Sequence, residues 1–254
     1  MNLRVIIPAA GKGTRLSVNQ EDAPNAMRIC GGRPLLETVL RNTDFIRPED
    51  TFIVVGYKKD DIIGYFGPKY RYVEQKEQLG TGHAVMVCAE AFRGFEGTVL
   101  VTFGDMPLFK RKDLMAICEY HEKTGADCTL MTAENPALTL WARIVRDEKG
   151  AFAAIVEGKD CTAEQAKIRE LFSGVLVFRS KSLFEVLPEL HRTNVQHEYY
   201  LTEVPELLLK KGMRVETFRI EDGESLRGVN TAEDLRVCDA ILSAEEAKKL
   251  HAET

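Results

Sequence analysis

Residues 3 to 16 read Leu3-Arg4-Val5-Ile6-Ile7-Pro8-Ala9-Ala10-Gly11-Lys12-Gly13-Thr14-Arg15-Leu16. The apolar run from Leu3 to Ile7 predicts a buried strand, and it feeds directly into small residues and glycines. Without a Cβ, glycine lets the chain turn sharply and approach a ligand closely. At the C-terminal end of a first parallel strand, such a turn offers backbone N–H groups to phosphate oxygens. Lys12 and Arg15 add the positive charge an oligophosphate needs. On this stretch alone, a plain glycine turn with two solvated cations is an equal reading.

Spacing excludes two phosphate loops. A Walker loop needs a glycine five residues before the Gly11-Lys12 pair, where Ile6 stands. The dinucleotide fingerprint needs a third glycine three residues after Gly13, where Leu16 stands.

The chain of 254 residues is long enough for one large domain or two small ones with a well-buried core. Hydrophobic residues make up 44% of it and charged residues 29%, the balance of a globular enzyme. A net charge of −5 argues against a nucleic-acid binder, so a phosphate site has to be a local pocket. The cysteines Cys30, Cys88, Cys118, Cys128, Cys161 and Cys238 lie far apart with no C-x-x-C, which predicts reduced core thiols. No signal segment opens the chain and no apolar run approaches the ~18 residues of a membrane span, so the expectation is a cytoplasmic protein without a membrane partner.

Strand-like and helix-like segments alternate. Leu3–Pro8, Thr51–Val55, Tyr70–Val73 and Thr98–Thr102 read as strands. Pro34–Asn42, Asp60–Phe66, Gly82–Ala91 and Lys112–Lys123 read as helices. Right-handed crossovers then give an α/β, Rossmann-like, mainly parallel but mixed sheet covered on both faces. Asp127–Thr132, Ala142–Arg146, Phe172–Phe178 and Val215–Ile220 add strands, with a hairpin or insertion across Asp147–Ile168. Ser182–Leu190 and Leu201–Lys211 read as helices. Thr231 to Leu250 is a last helix in which Thr231 and Asp234 are placed as a capping box and Leu235, Cys238, Ile241 and Leu242 form one stripe. Residues 1–230 are read as one domain and 231–254 as a helix packed on it or serving as an arm.

In sheets of this kind ligands bind beyond the C-terminal strand ends. Gly104-Asp105 falls there, and a carboxylate after a buried strand suits Mg²⁺; a turn aspartate is the alternative. In Gln75-Lys76-Glu77-Gln78-Leu79-Gly80-Thr81-Gly82-His83-Ala84, loop amides and the Gln75 side chain can read a base edge, while Thr81 is also placed to cap the next helix. His83 reads as structural. Glu157 ends a short apolar strand, and Asn230 follows Gly228-Val229; by themselves they read as a solvated charge and a turn residue.

Together these stretches resemble the sugar-1-phosphate nucleotidylyltransferases. In detail they resemble the uridylyltransferase domain of bifunctional N-acetylglucosamine-1-phosphate uridylyltransferase/glucosamine-1-phosphate acetyltransferase. The matching pieces are A-A-G-K-G-T-R-L, E-Q-L-G-T-G-H-A, G-D-M-P-L, I-V-E-G-K-D, E-Y-Y-L-T-E and G-V-N, in that order across residues 3 to 250. E-Q-L-G-T-G-H-A is the most specific of them. The resemblance implies a nucleotide-diphospho-sugar transferase fold and a reaction in which a sugar 1-phosphate attacks the α-phosphorus of a nucleoside triphosphate and pyrophosphate leaves. It implies Mg²⁺ held by Asp105 and Asn230, with Arg15 facing the β- and γ-phosphates and Lys12 and Asn25 also at the reacting phosphates. Pro8, Ala9, Ala10, Gly11, Gly13, Gln75, Gly80 and Thr81 would hold the nucleotide. Gly104, Ala142, Glu157, Phe172, Tyr200 and Thr202 would line the sugar side.

The chain departs from that pattern in four places. The family's Pro-Lys is Pro24-Asn25 here, after about three extra residues in Ser17–Ala23, which removes the usual α-phosphate lysine; Arg28 and Lys12 are the nearby cations. A glycine is replaced by Ala142, and a sugar-contacting asparagine by Phe172. The hexapeptide repeats of the acyltransferase half are absent, so acetyl transfer is not expected. The expectation is a Mg²⁺-dependent uridylyltransferase slowed by Asn25. Its alternatives are a nucleotide-binding or regulatory subunit, or a relative using CTP or another sugar.

Overall fold

The computed structural model describes residues 1–13, 23–194 and 196–252. The first apolar run forms β1 (Leu3–Pro8), in which Val5, Ile6 and Ile7 are fully buried. Next come β2 (Ile29–Cys30) and β3 (Arg33–Pro34), paired antiparallel. Their two-residue loop, Gly31-Gly32, has φ of 60° and 75°, the positive values a tight primed hairpin turn demands. The sequence reading places no element here, because two-residue strands carry no periodicity.

The chain continues through α1 (Leu35–Asn42), β4 (Thr51–Val55), α2 (Lys59–Phe66), β5 (Arg71–Glu74), α3 (Thr81–Met86), β6 (Thr98–Val101) and α4 (Arg111–Thr124). The helix expected over Gly82–Ala91 is shorter. It ends at Met86, and a 3-10 turn, Ala89–Phe92, follows. That turn delivers Phe92 into the core against Phe52 and Phe184, with ring centroids 4.6 and 5.3 Å away. The strand expected from Tyr70 begins one residue later, at Arg71.

The second half holds β7 (Cys128–Glu134), β8 (Arg143–Arg146), β9 (Phe152–Val156), β10 (Glu170–Arg179), α5 (Ser180–Val186), α6 (Val204–Lys210), β11 (Val215–Arg219) and α7 (Ala232–Ala252). Of the hairpin or insertion expected across Asp147–Ile168, β9 forms within that range and pairs antiparallel with β8, the strand expected over Ala142–Arg146. Prolines correct two helices. Pro188 sits in a separate 3-10 turn, Leu187–Glu189, which ends α5 early. Pro205 sits in the first turn of α6, so Leu201–Glu203 is a distinct 3-10 turn.

Among the described residues the main sheet has nine strands, with the path β11-β7-β10-β6-β1-β4-β5 and the β8–β9 hairpin attached to β10. β5, β4, β1 and β6 run parallel, and β10 is antiparallel to β6, β7 and β8. This is the mixed, mainly parallel α/β sheet the sequence predicts. Alternation along β1 feeds both faces. Val5 and Ile7 join Leu36, Val39, Leu114 and Ile117 of α1 and α4. Ile6 joins Ala84, Leu183 and Leu208 from the helices of the other face. Each such fully buried side chain is worth ~1.5–3 kcal/mol over exposure. β1 leaves toward β4 on one side and β6 on the other, so a crevice opens beyond their C-terminal ends.

α7 docks its stripe of Leu235, Cys238, Ile241 and Leu242 on Cys30, Leu35, Leu108 and Val229. The backbone of Gly31 receives it closely: a Cβ there would lie 2.8 Å from Leu242 Cβ, and Gly31 N donates to Asp239 Oδ1 at 2.7 Å. The capping box is formed, with Asp234 N donating to Thr231 Oγ1 at 3.1 Å and Thr231 N to Asp234 Oδ2 at 2.8 Å. Among the described residues no helix is long and apolar enough to cross a membrane.

His121 of α4 is 3% exposed and shares a hydrogen bond of 2.9 Å with Thr129 Oγ1. Burial pushes its imidazole down from 6.5 to about 4. The unfolded chain takes up that proton near pH 6.5 and the folded chain only near 4. Stability is therefore full above about 6.5 and falls as pH drops through that window, by about 3 kcal/mol at most. Urea unfolding of wild type and His121→Gln from about pH 4 to 7 is expected to give a flatter curve for the variant. Parallel curves would place the acid sensitivity in another group.

Candidate active site

The crevice is built by chain segments with little freedom to move. Gly104 N donates to Pro8 O at 3.0 Å, which binds the end of β6 to the end of β1. A Cβ at Gly104 would stand 3.2 Å from Ala9 Cβ and 3.4 Å from Ala26 Cβ, so a larger residue would wedge these layers apart. Ala9 N donates to Val54 O at 2.8 Å and Tyr57 N to Ala10 O at 3.1 Å, fastening the glycine loop to the end of β4. Gly56 allows that contact, since a Cβ there would meet Ala10 Cβ at 2.8 Å and Gln75 O at 2.9 Å. Nothing in the sequence marks Gly56 as different from a loop glycine.

One cleft results. Pro8, Ala9, Ala10, Gly11, Asn25, Gln75, Gly80, Thr81, Gly104 and Asp105 line it, all candidates from the sequence. Ala26, Gln78, Ala84, Phe103 and Glu198 line it as well. Gln78 and Ala84 lie inside E-Q-L-G-T-G-H-A, and Glu198 opens E-Y-Y-L-T-E, so proximity to a motif was the signal for them.

The Gln75 amide is held in one orientation. Its Nε2 donates to Gly80 O at 3.2 Å and lies 3.0 Å from His83 Nδ1. A carbonyl oxygen only accepts, so the nitrogen is fixed inward and the oxygen is what the amide offers a ligand. His83 thus supports Gln75, and it stacks on Tyr199. Thr81 is not the helix cap the sequence allows. Gly80 takes that place at φ 108°, a value that suits glycine. Thr81 Oγ1 instead accepts from Leu201 N at 3.0 Å, and Tyr199 N donates to Leu79 O at 2.8 Å. These bonds lay the segment Tyr199–Leu201 along the loop from Gln75 to Thr81.

Thr202 follows, and its Oγ1 donates to Glu157 Oε1 at 3.0 Å. Burial raises the Glu157 carboxyl in spite of that bond. Tyr200 is pushed up to about 12, by burial first and by the neighbouring Glu157 charge second, and its hydroxyl donates to Gln196 Oε1 at 2.9 Å. Glu157, Tyr200 and Thr202 thus form a second polar cluster joined to the cleft through Thr81. Ala142 and Phe172 sit elsewhere, 8% and 6% exposed in the apolar core with Ile144 and Phe152, and Phe172 N donates to Ala142 O at 2.9 Å.

At the other end of the cleft, Asn25 Nδ2 donates to Asp105 Oδ2 and to Val229 O, each at 3.1 Å. Val229 N donates to Asp105 O at 2.9 Å. The loop before α7 is thereby fastened to the end of β6, with Asn230 next in the chain, held by its N–H to Asp234 Oδ2 at 3.2 Å. Half-buried Asp105 is pushed up to about 6 from 3.8 by burial, against its own backbone N–H and Asn25. A Cβ at Gly13 would lie 3.0 Å from Asn25 Cβ, so the glycine loop rests on the asparagine. Lys12 is exposed, with its ammonium 5.1 Å from the centre of the Tyr57 ring. Arg15 and residues 17–22 of the extra segment lie outside the described residues.

A divalent hard cation needs oxygen ligands. The Asp105 carboxylate, the Asn230 amide and a buried Asn25 Oδ1 with no partner among the described residues are such a set. They fit Mg²⁺ better than a soft metal.

Residues 5–202 match the MobA-like NTP transferase domain. The chain is 36% identical over 241 residues to the bifunctional protein GlmU of Enterococcus faecalis, covering 95% of this chain and 52% of that protein. It is 37% identical over 230 residues to the bifunctional protein GlmU of Lactococcus lactis subsp. cremoris, covering 91% of this chain and 50% of that one. The chain thus spans about half the length of the curated relatives it matches. A UDP-glucose pyrophosphorylase solved with UDP-glucose superposes with a TM-score of 0.76 at 19% identity, over 96% of this chain and 100% of that one. A putative glucose-1-phosphate thymidylyltransferase from Bacillus anthracis superposes with a TM-score of 0.74 at 15% identity, over 95% of each chain. At such identities the likeness is one of fold.

Two glycine substitutions separate site from scaffold. In Gly80→Ala the new Cβ would lie 2.6 Å from Tyr199 O on a backbone at φ 108°. Strain of ~1–3 kcal/mol and a loss of nucleotide affinity of at least about tenfold are expected. Gly64 lies in α2 with nothing within 4 Å of an added Cβ. Gly64→Ala should therefore stabilise by up to ~1 kcal/mol and leave binding unchanged. Urea unfolding and nucleotide titration check both; equal behaviour of the two variants would remove the special role of Gly80.

Proposed function

The chain belongs to the MobA-like NTP transferase family, and from that premise we propose that it transfers a nucleoside monophosphate from UTP to a sugar 1-phosphate. A phosphate oxygen of the sugar 1-phosphate attacks the α-phosphorus, the bond from that phosphorus to the bridging oxygen breaks, and pyrophosphate leaves with the electron pair. The observation that carries this reading is the single cleft joining Ala9, Ala10 and Gly11 to Gln75, Gly80 and Asp105. Such in-line displacement asks the protein for position and charge rather than a covalent intermediate.

Each part of the cleft has a task in this reading. The fixed Gln75 oxygen accepts a hydrogen bond, which favours the N3–H of uracil over the unprotonated N3 of cytosine. Loop amides from Ala10 to Gly13 meet the phosphates. Asp105 and Asn230 would hold Mg²⁺, which when bound neutralises phosphate charge. Glu157, Tyr200 and Thr202 hold the sugar hydroxyls through a network already aligned before substrate arrives. Ala142 and Phe172, buried in the core, leave the sugar side without the amide that the resembling family offers an acetamido group. Residues 1–230 make the catalytic body, and α7 (Ala232–Ala252) is the helix that fixes its last loop.

Asn25 favours a second reading, a nucleotide-binding subunit with weak catalysis, because a neutral amide stands where the resembling family carries a lysine. Pyrophosphate release from UTP or CTP with Mg²⁺ and a panel of sugar 1-phosphates decides between the readings. We expect turnover with UTP exceeding that with CTP, and Gln75→Leu erasing the difference. N-acetylglucosamine 1-phosphate should not be the best sugar. Asp105→Ala should lower kcat by ~10²–10³. Tight UTP binding with no pyrophosphate from any sugar would establish the binding subunit instead.

A further inference from the structure

Asn25 is nine-tenths buried and its amide is locked. Nδ2 donates to Asp105 Oδ2 and Val229 O at 3.1 Å each, and neither oxygen can donate in return. The nitrogen is therefore assigned by its partners. Oδ1 lies 3.1 Å from where a Gly13 Cβ would stand. Among the described residues Oδ1 has no hydrogen-bond partner. A buried amide oxygen left bare costs ~1–3 kcal/mol, so this one awaits a ligand.

The chemistry of that ligand is constrained. Oδ1 accepts only, so it repels a phosphate oxygen, whereas a cation between the glycine loop and Asp105 would satisfy it. Resting on the phosphate-transfer reading above, we propose that Asn25 is a divalent-metal ligand of this chain, its Oδ1 adding a third protein oxygen to those of Asp105 and Asn230. The same side chain steadies Asp105 through Nδ2 and meets the cation through Oδ1. Positive charge that the family's lysine would bring on a side chain is then brought by a more firmly held metal. Mg²⁺ and Mn²⁺ both take such oxygen sets.

The test is Mn²⁺ binding to the full chain without nucleotide, followed by the EPR signal of free Mn²⁺. Asp105→Ala examines the reading beneath, and the Asn25 variants examine the proposal. Asp105→Ala is expected to abolish the tightest Mn²⁺ site. Asn25→Leu should weaken it about tenfold or more, the scale of losing one well-placed metal partner. If Asn25 merely occupies Asp105, its removal would free a carboxylate oxygen and tighten Mn²⁺ instead.

Asn25→Asp guards against a trivial loss of structure. It deletes both Nδ2 bonds and places like charges together, so a purely structural role predicts poorer binding. A ligand role predicts Mn²⁺ binding about tenfold tighter than wild type, because a second carboxylate then meets the cation. Weaker binding in Asn25→Leu with tighter binding in Asn25→Asp supports the proposal. Unchanged or tighter binding in Asn25→Leu, or weaker binding in Asn25→Asp, overturns it. Mn²⁺ binding indifferent to Asp105→Ala would overturn the metal reading itself.

Discussion

The side-chain amide of Asn25 ties together three segments that are remote in sequence. From one nitrogen it reaches Asp105 at the end of β6 and Val229 in the loop before α7, while its backbone N–H reaches Gly11 O at 3.2 Å. The rest of the site depends on this knot. Without it the glycine loop would lose its floor, and among the described residues the loop carrying Asn230 would keep the Val229 N–H to Asp105 O bond toward β6 and its own seat under α7. The geometry is possible because the sheet has already brought the ends of β1 and β6 together and Gly104 leaves room between Ala9 and Ala26.

Electrostatics give the knot its character. Burial holds the Asp105 carboxyl up at about 6, and burial raises Glu157 in the neighbouring cluster. Removing a carboxylate from water is costly unless partners compensate it. Lysine beside Asp105 would offset that cost by forming an ion pair. An amide donates one weaker bond and leaves the negative charge to be balanced from outside. The site is thus short of positive charge among its described residues, with Lys12 turned to Tyr57, a shortage that the proposed cation would relieve.

Much of this was legible from local signals. β1 and β4 fall on their predicted ranges because short apolar runs rich in Val and Ile, bounded by turn residues, favour buried strands, and α7 begins at its capping box. The motifs led to most of the residues lining the cleft. What stayed hidden was set at long range. The β2–β3 hairpin exists to receive α7 and has no periodicity of its own. Thr81 looks like a cap until Leu201, 120 residues away, offers its N–H. Gly56 is decided by what crowds it, the Cβ of Ala10 and the carbonyl of Gln75. Ala142 and Phe172, placed on the sugar side by likeness, pack with core residues outside the cleft lining, a placement set by the β8–β10 pairing rather than by any local signal.

The capping box at the start of α7 carries a further consequence. Asp234 Oδ2 accepts from Thr231 N, as a box requires, and also from Asn230 N. The helix start is therefore also the anchor of the proposed metal-site loop. Val229 enters the small core under α7 with Cys30, Leu35 and Leu108, so the same packing that seats the helix sets the height of that loop. Helix caps are worth ~1 kcal/mol, and the apolar seat of α7 several times that. Most of the free energy that orders the final loop thus comes from α7. That accounts for an apolar stripe and a full capping box in a helix that lines none of the cleft. Its contribution to chemistry is to remove freedom from Val229 and Asn230 before any ligand binds, the kind of preorganisation that makes weak individual ligands effective together.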